Sequence, residues 1–243
     1  MDEKLRKSKE IEHWARFKDS AESFWGWTSD AGTRRAARRA RFLISHGEIK
    51  PGKKILEVGC GTGIFTEKLA QTGAEVLAID LSPDLLMKAR NRVLKNNVNL
   101  IEADLEKLPF DKNSFDSVVG VSILHHVDLG KALREIYRVL KVGGKIVFSE
   151  PNMLNPQIMI MFSHPRLRKL IGATETESPF FRWSLNRSLK EVGFSYVNIK
   201  PFDFLHPKIP KNLINLVERT SFIIEKIPLL KEFSGSLLIT ADK

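Results

Sequence analysis

The chain predicts an α/β fold, a doubly wound and mostly parallel sheet of seven strands with helical cap insertions. Three observations lead there. From Lys53 onward, short apolar runs alternate with amphipathic stretches; the first run ends in a glycine-rich turn; and the segments that interrupt the alternation are proline-rich or helical in pattern. Buried strands alternating with crossover helices are what a parallel sheet covered on both faces requires.

Taken in order, residues 3 to 25 and 33 to 47 are polar and free of proline, and they read as two helices separated by a turn from Gly26 to Gly32. The runs KILEV, VLAID, NLIEAD, FDSVVGVS and KIVFSE follow as strands, with FTEKLAQTG, DLLMKARNRVLKNN and KALREIYRVLKVGG as the crossover helices between them. Pro151, Pro156, Pro165 and Pro179 then break the rhythm, which marks 153 to 183 as an insertion. A helix over 184 to 192 ends at Gly193, and strands at 195 to 201 and at 234 to 241 (SGSLLITA) complete the sheet. Between them, Leu213 to Ile227 carries apolar residues at helical spacing, which reads as the stripe of a packed helix. The expected organisation is an N-terminal helical cap over 1–48, a ligand-binding core over 49–152, and a completion of the sheet over 153–243 with cap insertions at 153–183 and 204–232.

At 243 residues the chain can bury a sizeable core, and no apolar run approaches the roughly 20 residues that span a bilayer. The charged start, MDEKLRKSKEIEHW, lacks the apolar stretch of a secretory signal, and a lone cysteine permits no internal disulfide; both point to the cytoplasm. A formal charge of +10 favours anionic partners, such as nucleic acid, an acidic lipid surface or a phosphorylated small molecule, without choosing among them.

The chemistry concentrates where ILEVGCGTG carries a strand into a turn with Gly59, Gly61 and Gly63. Glycines let main chain approach a ligand closely and take positive φ. A dinucleotide-binding turn of G-x-G-x-x-G type needs glycine at 64, where this chain has Ile64. Asp80 ends the next strand, 17 residues after Gly63, placed to accept from two ribose hydroxyls. Asp104 ends the third, where it can accept from an adenine amino group while Leu105 packs on the ring.

ILEVGCGTG, VLAIDLS, EADLEKLPF, FDSVVGVSILHHV and VLKVGGKIVFSEPN together resemble the successive motifs of class I S-adenosylmethionine-dependent methyltransferases, of the small-molecule type, over residues 50 to 152. The resemblance implies a Rossmann-like methyltransferase fold, with S-adenosyl-L-methionine as cofactor and S-adenosyl-L-homocysteine as product. It implies that Gly59 and Gly61 face the methionine part, Asp80 the ribose, and Asp104 with Leu105 the adenine. Glu57 stands where the family orients the glycine loop and the amino group, Ser122 where a backbone carbonyl receives that group, and Gly63 and Leu81 complete the cofactor set. SGSLLITA resembles the family's antiparallel strand.

His125 and His126 follow the fourth strand, and a neutral imidazole there could take the acceptor's proton, His125 being preferred. Either could equally shape the wall alone, because methyl transfer needs chiefly alignment. Cys60 reads as a small packing residue of the turn, since no base is evident beside it. The stretch SILHHV offers no carboxylate before Asp128, so a metal-free reaction is expected. Arg34, Arg35, Arg38, Arg39 and Arg41 form the densest basic cluster, just after Trp25 and Trp27. They read either as a solvated face or as a lip for an anionic or planar acceptor. The expected activity is in-line methyl transfer to a small or lipid-like acceptor with anionic character, at oxygen, nitrogen or carbon. An RNA methyltransferase and a cofactor-binding partner subunit without catalysis are the alternatives. Against the first stands the lack of an Asn-Pro-Pro-aromatic element after the fourth strand.

Overall fold

The computed structural model of the chain describes residues 3–17, 19–170, 177 and 179–243. Its strands are β1 (Lys54–Val58), β2 (Glu75–Asp80), β3 (Val98–Glu102), β4 (Phe115–Val121), β5 (Leu140–Pro151), β6 (Ser195–Phe202) and β7 (Ser236–Asp242). They form one sheet in the order β3-β2-β1-β4-β5-β7-β6. Pairings from β3 to β5 are parallel, and β7 runs antiparallel to both β5 and β6. The strand order reverses between β1 and β4, which opens a crevice at their carboxyl ends where ligands of such sheets sit.

The helices among the described residues are α1 (Glu3–Phe17), α2 (Ala21–Phe24), α3 (Asp30–His46), α4 (Ile64–Ala70), α5 (Pro83–Arg92), α6 (Leu129–Val139), α7 (Pro156–Ser163), α8 (Pro165–Leu170), α9 (Arg182–Val192) and α10 (Ile214–Ile224). Strand alternation divides them into two layers. Ile55, Val119, Val147 and Leu238 pack with Ala40, Leu43, Phe65, Leu69 and Leu86 of α3 to α5. Their strand neighbours Leu56, Val118, Ile146, Phe148 and Leu237 pack on the other face with Leu133, Ile136, Leu185 and Leu189 of α6 and α9. Each such aliphatic side chain contributes about 1.5–3 kcal/mol when fully buried, so both layers are needed to hold the strand tips in place.

Local chemistry moves several boundaries. α3 begins at Asp30 rather than 33, because the Ser29 side chain accepts from the Gly32 amide at 3.0 Å and caps the helix inside the expected turn. The first helix is interrupted ahead of α2. α6 stops at Val139, and the residues after it, up to Gly143 and Gly144, join β5, where a register irregularity lets Leu140 pair with Phe115. Residues 171–176 and 178 of the 153–183 insertion, and 1, 2 and 18 of the N-terminal segment, lie outside the described residues.

The stripe at 213–227 differs from expectation in direction. Only Ile214 and Ser221 of α10 are buried, whereas Leu216, Phe222, Ile223 and Ile227 are exposed. The inward face is instead electrostatic. Arg34 pairs with Glu218 at 2.7 Å, Arg38 grips Glu225 through two nitrogens at 2.7 and 2.5 Å, and Arg35 and Arg39 share Asp203 at 2.9 and 2.7 Å. The arginine cluster is therefore chiefly a clamp between α3 and residues 203–225, with Arg41 left exposed. Burial alone would raise the Asp203 carboxyl, but Arg39 and Arg35 outweigh it and hold it at about 2.

Asp203→Asn leaves Arg39 without its buried counterion and is expected to cost about 3–5 kcal/mol in urea unfolding at pH 7. A carboxyl depressed on folding stabilises above its unfolded pKa of about 4 and loses that contribution as pH falls through its folded value. The gap between wild type and variant should therefore shrink from about pH 4 towards pH 2, and a gap independent of pH would contradict the clamp.

Candidate active site

The turn after β1 is built from backbone that side chains would obstruct. Gly59 has φ +67° and Gly61 φ +54°; a Cβ on Gly59 would stand 2.6 Å from the Ile123 side chain, and one on Gly61 3.2 Å from the Trp25 ring. Glycine at both positions keeps bare main chain between β1 and the residues that follow β4. Gly63, also at positive φ, caps the start of α4.

Asp80 holds this loop. One carboxylate oxygen accepts from the Gly61 amide at 2.8 Å and the other from Ser82 at 2.9 Å. Desolvation raises its pKa above the ordinary value, partly offset by those amides. Glu57 lies beneath the loop, fully buried, with Oε2 lacking a hydrogen-bond partner. Burial pushes its carboxyl up to about 8, against which the nearby Thr66 hydroxyl acts in the lowering sense. Asp104 is engaged at both oxygens, by the Glu106 amide at 2.8 Å and by Lys7 Nζ at 2.6 Å. Beside it Arg6 pairs with Glu106 and donates to the His126 carbonyl at 2.9 Å, so α1 straps across the tips of β3 and β4.

After β4 the chain turns at Ser122, φ +54°, into a 3-10 turn over Leu124–His126. His125 is buried, and its Nδ1 lies 2.7 Å from Glu150 Oε2. Glu150, at the end of β5, also accepts from the Ile123 and Leu124 amides at 2.9 and 3.0 Å. An acceptor-only carboxylate on Nδ1 selects the tautomer protonated there and leaves Nε2 with its lone pair. His126 faces Glu177, 3.6 Å from Nδ1 to Oε1, and ligand atoms of His125, His126 and Glu177 lie within 4.8 Å of one another. The acids lacking in SILHHV thus arrive from β5 and from the 153–183 insertion, and this spacing would admit a cation.

One cavity of about 420 Å³ joins these parts. Gly59, Gly61, Asp80, Leu81, Leu105, Ser122, His125 and His126 all line it; Glu57, Gly63 and Asp104 do not. Cys60 reaches its wall, but burial, with Asp80 and Glu57, drives the thiol pKa well up, so it is no nucleophile. The far wall is largely apolar and aromatic, made by Trp25, Trp27, Ile158 and Phe162, with Arg35 and Arg39 also lining the cavity. Residues of α1 to α3 and of α7 line the cavity, whereas 204–232 supplies no lining residue among those described and buttresses α3 from outside.

The family described as "Methyltransferase domain" matches residues 56–148. The ubiquinone/menaquinone biosynthesis C-methyltransferase UbiE of Pasteurella multocida is 33% identical over 183 residues, spanning 65% of this chain and 68% of that protein. The demethylmenaquinone methyltransferase of Chlorobaculum tepidum is 36% identical over 187 residues, spanning 70% and 75%. The chain belongs to the class I S-adenosylmethionine-dependent methyltransferases. Among solved structures, phosphoethanolamine N-methyltransferase 2 of Haemonchus contortus, in complex with S-adenosyl-L-methionine, matches with TM-score 0.67 at 20% identity, covering 96% of this chain and 59% of that one. This methyltransferase uses S-adenosylmethionine as cofactor and acts on a small molecule.

Glu150, Glu106, Glu177 and Asp203 were beyond local sequence reading, since each meets its partner at least 22 residues away in sequence. The buried Glu57 has a measurable signature in the methyltransferase without cofactor. A carboxyl raised on folding keeps a proton that the unfolded chain has released, so its contribution to stability falls as pH rises from about 4 to about 8. Glu57→Gln removes this dependence. The stability difference between variant and wild type should shift in favour of Gln across that window, measured as urea midpoints, and parallel profiles would refute the assignment.

Proposed function

We propose that this cavity holds S-adenosylmethionine along the strand tips and methylates a ring carbon of a flat, lipid-tailed phenol or hydroquinone. In this reading Gly59 and Gly61 offer bare backbone to the methionine part, with Gly63 launching α4 behind them. Asp80 and Leu81 meet the ribose, and Leu105 packs on the adenine. Asp80 retains capacity for the ribose hydroxyls, because each of its oxygens accepts one amide and can accept about two hydrogen bonds. Asp104 joins in only once Lys7 gives way. The Ser122 carbonyl suits a cationic amino group at the loop, with Glu57 buried behind it, and a cavity of about 420 Å³ is the right scale for a ligand of this size.

When bound, S-adenosylmethionine supplies an electron-poor methyl carbon and leaves as S-adenosyl-L-homocysteine. The protein's part is alignment and proton handling. Trp25, Trp27 and Phe162 hold a planar acceptor, and Ile158 supports its apolar substituent. His125 Nε2 takes the acceptor's hydroxyl proton, which raises electron density on the ring carbon that forms the new C–C bond; the hydrogen displaced from that carbon is lost as a proton. Glu150 acts through His125 as a positioning residue, holding Nδ1–H and turning Nε2 to the acceptor. The Glu150–His125 contact at 2.7 Å inside an aromatic-walled cavity is the observation that carries this reading. Carbon is chosen over oxygen or nitrogen because the Pasteurella multocida relative is named a C-methyltransferase. The four arginines Arg34, Arg35, Arg38 and Arg39 pair with three acids, Arg35 and Arg39 sharing Asp203, so most of the cluster's charge is engaged inside the fold rather than on an anionic acceptor.

Asp80→Ala should weaken calorimetric affinity for S-adenosylmethionine by about 1–3 kcal/mol, the scale of a lost charged hydrogen bond; an unchanged isotherm would remove Asp80 from the site. With labelled cofactor and a panel of reduced quinone precursors, methyl should appear on ring carbon in the product's NMR spectrum. His125→Ala should lower kcat about 10²–10⁴-fold with cofactor affinity intact. Glu150→Gln should lower kcat and displace its pH profile. Methyl found on oxygen, or full turnover without His125, would defeat the mechanism.

A further inference from the structure

Residues 208–233 present an apolar surface whose surroundings are charged on one side only. Leu213, Leu216, Phe222, Ile223, Ile227, Leu229, Leu230 and Phe233 are all exposed, Leu229 at 79% and Ile223 at 62%. Along α10, Leu216 and Ile223 share one face with Thr220, while Ile214, Glu218, Ser221 and Glu225 form the opposite, inward face. All three acids of this segment are turned into the protein: Glu218 to Arg34, Glu225 to Arg38, and Glu232 to Arg182. Three of its five cations, Lys208, Arg219 and Lys226, are exposed with no ion pair to any described residue, while Lys211 pairs with Asp30 at 3.3 Å. The outward surface is thus apolar and basic.

This surface continues to the cavity wall. The Asn155 side chain donates to the Phe233 carbonyl at 2.8 Å, which sets α7 against the end of the segment. On α7 itself Ile158 and Phe162 line the cavity, while Met159 and Ile160 are exposed beside them. One short helix therefore has an apolar side in the cavity wall and another exposed to solvent.

We propose that α7 and residues 208–233 dock this methyltransferase on the surface of an anionic phospholipid bilayer, with Leu216, Ile223, Ile227 and Leu229 entering the headgroup boundary and Lys208, Arg219 and Lys226 meeting lipid phosphates. Charge decides the occupant. Lysine is depleted at protein–protein interfaces, whereas an apolar face edged by Lys and Arg suits an interfacial element on anionic lipid. No described helix is long and apolar enough to cross a membrane, so this attachment is peripheral. It goes beyond the acceptor assignment and stands without it, since the contacts are with headgroups.

The full chain is mixed with sucrose-loaded vesicles of phosphatidylcholine, with or without one quarter phosphatidylglycerol, and sedimented. Binding is expected to the anionic vesicles, weakening as salt rises. The charge variant Arg219→Glu/Lys226→Glu should lower the partition coefficient about tenfold or more, and Leu216→Ser/Ile223→Ser/Leu229→Ser should abolish binding. Circular dichroism and S-adenosylmethionine affinity should remain unchanged in both. Absence of binding to anionic vesicles, or variants that bind like wild type, overturns the proposal. So does a dimer in analytical ultracentrifugation that the serine variant dissociates while wild type ignores lipid, because the face would then join two copies. Vesicle binding with no methylation of any quinone precursor would leave the surface standing and sink only the acceptor reading.

Discussion

The Asp80 carboxylate bridges two strand tips, taking the Gly61 amide on one oxygen and the Ser82 amide on the other. Loop amides of this kind have no ladder partners, and left unpaired in a crevice each would carry a desolvation cost of about 1–3 kcal/mol. The carboxylate thus fixes the glycine loop against β2 and turns its main chain toward the crevice. What the sheet supplies is position: the parallel pairing of β1 with β2 and β4 brings the two tips and Ser122 to one edge. The cavity, the packing of Trp25 on Gly61 and the start of α4 all follow from that placement.

The cap is held by a different force. α3 meets residues 203–225 through matched charges rather than through an apolar seam, and the small cluster of Ala31, Leu205 and Ile214 is all the buried hydrophobic packing there. Arg39 also donates to Ser236 Oγ at 2.7 Å, so the same side chain ties α3 to β7 beside the cavity. Its own pKa falls to about 10 because burial outweighs the attraction of Asp203, which still leaves it charged at neutral pH. A clamp of this kind frees the apolar side of α10 from any structural duty.

Seven strands and their approximate limits were legible because each is a local apolar run beside turn residues, the antiparallel direction of the last one followed from the family resemblance, and the glycine spacing separated this turn from a dinucleotide-binding one. Legibility ended where partners come from far away. Nothing near Arg35 or Arg39 announces Asp203, and nothing near His125 announces Glu150. The stripe at 213–227 was correctly helical but misdirected, because periodicity reports that a helix has two faces and not which one meets the protein. Lys7 capping Asp104 was equally hidden, since α1 carries its charges in a pattern typical of any solvated helix.

Glu150 stands one residue beyond the Val121–Ser149 pair that closes the β4–β5 ladder, and from there it reaches His125. A slip of that ladder by a single residue would invert the pleat and offer the imidazole the short hydroxyl of Ser149 or the ring of Pro151 instead. The hydrogen-bond partner of a cavity imidazole is therefore set by strand alignment in the interior. Core substitutions around Val118 or Phe148 that disturb this register would cost His125 its contact with Glu150.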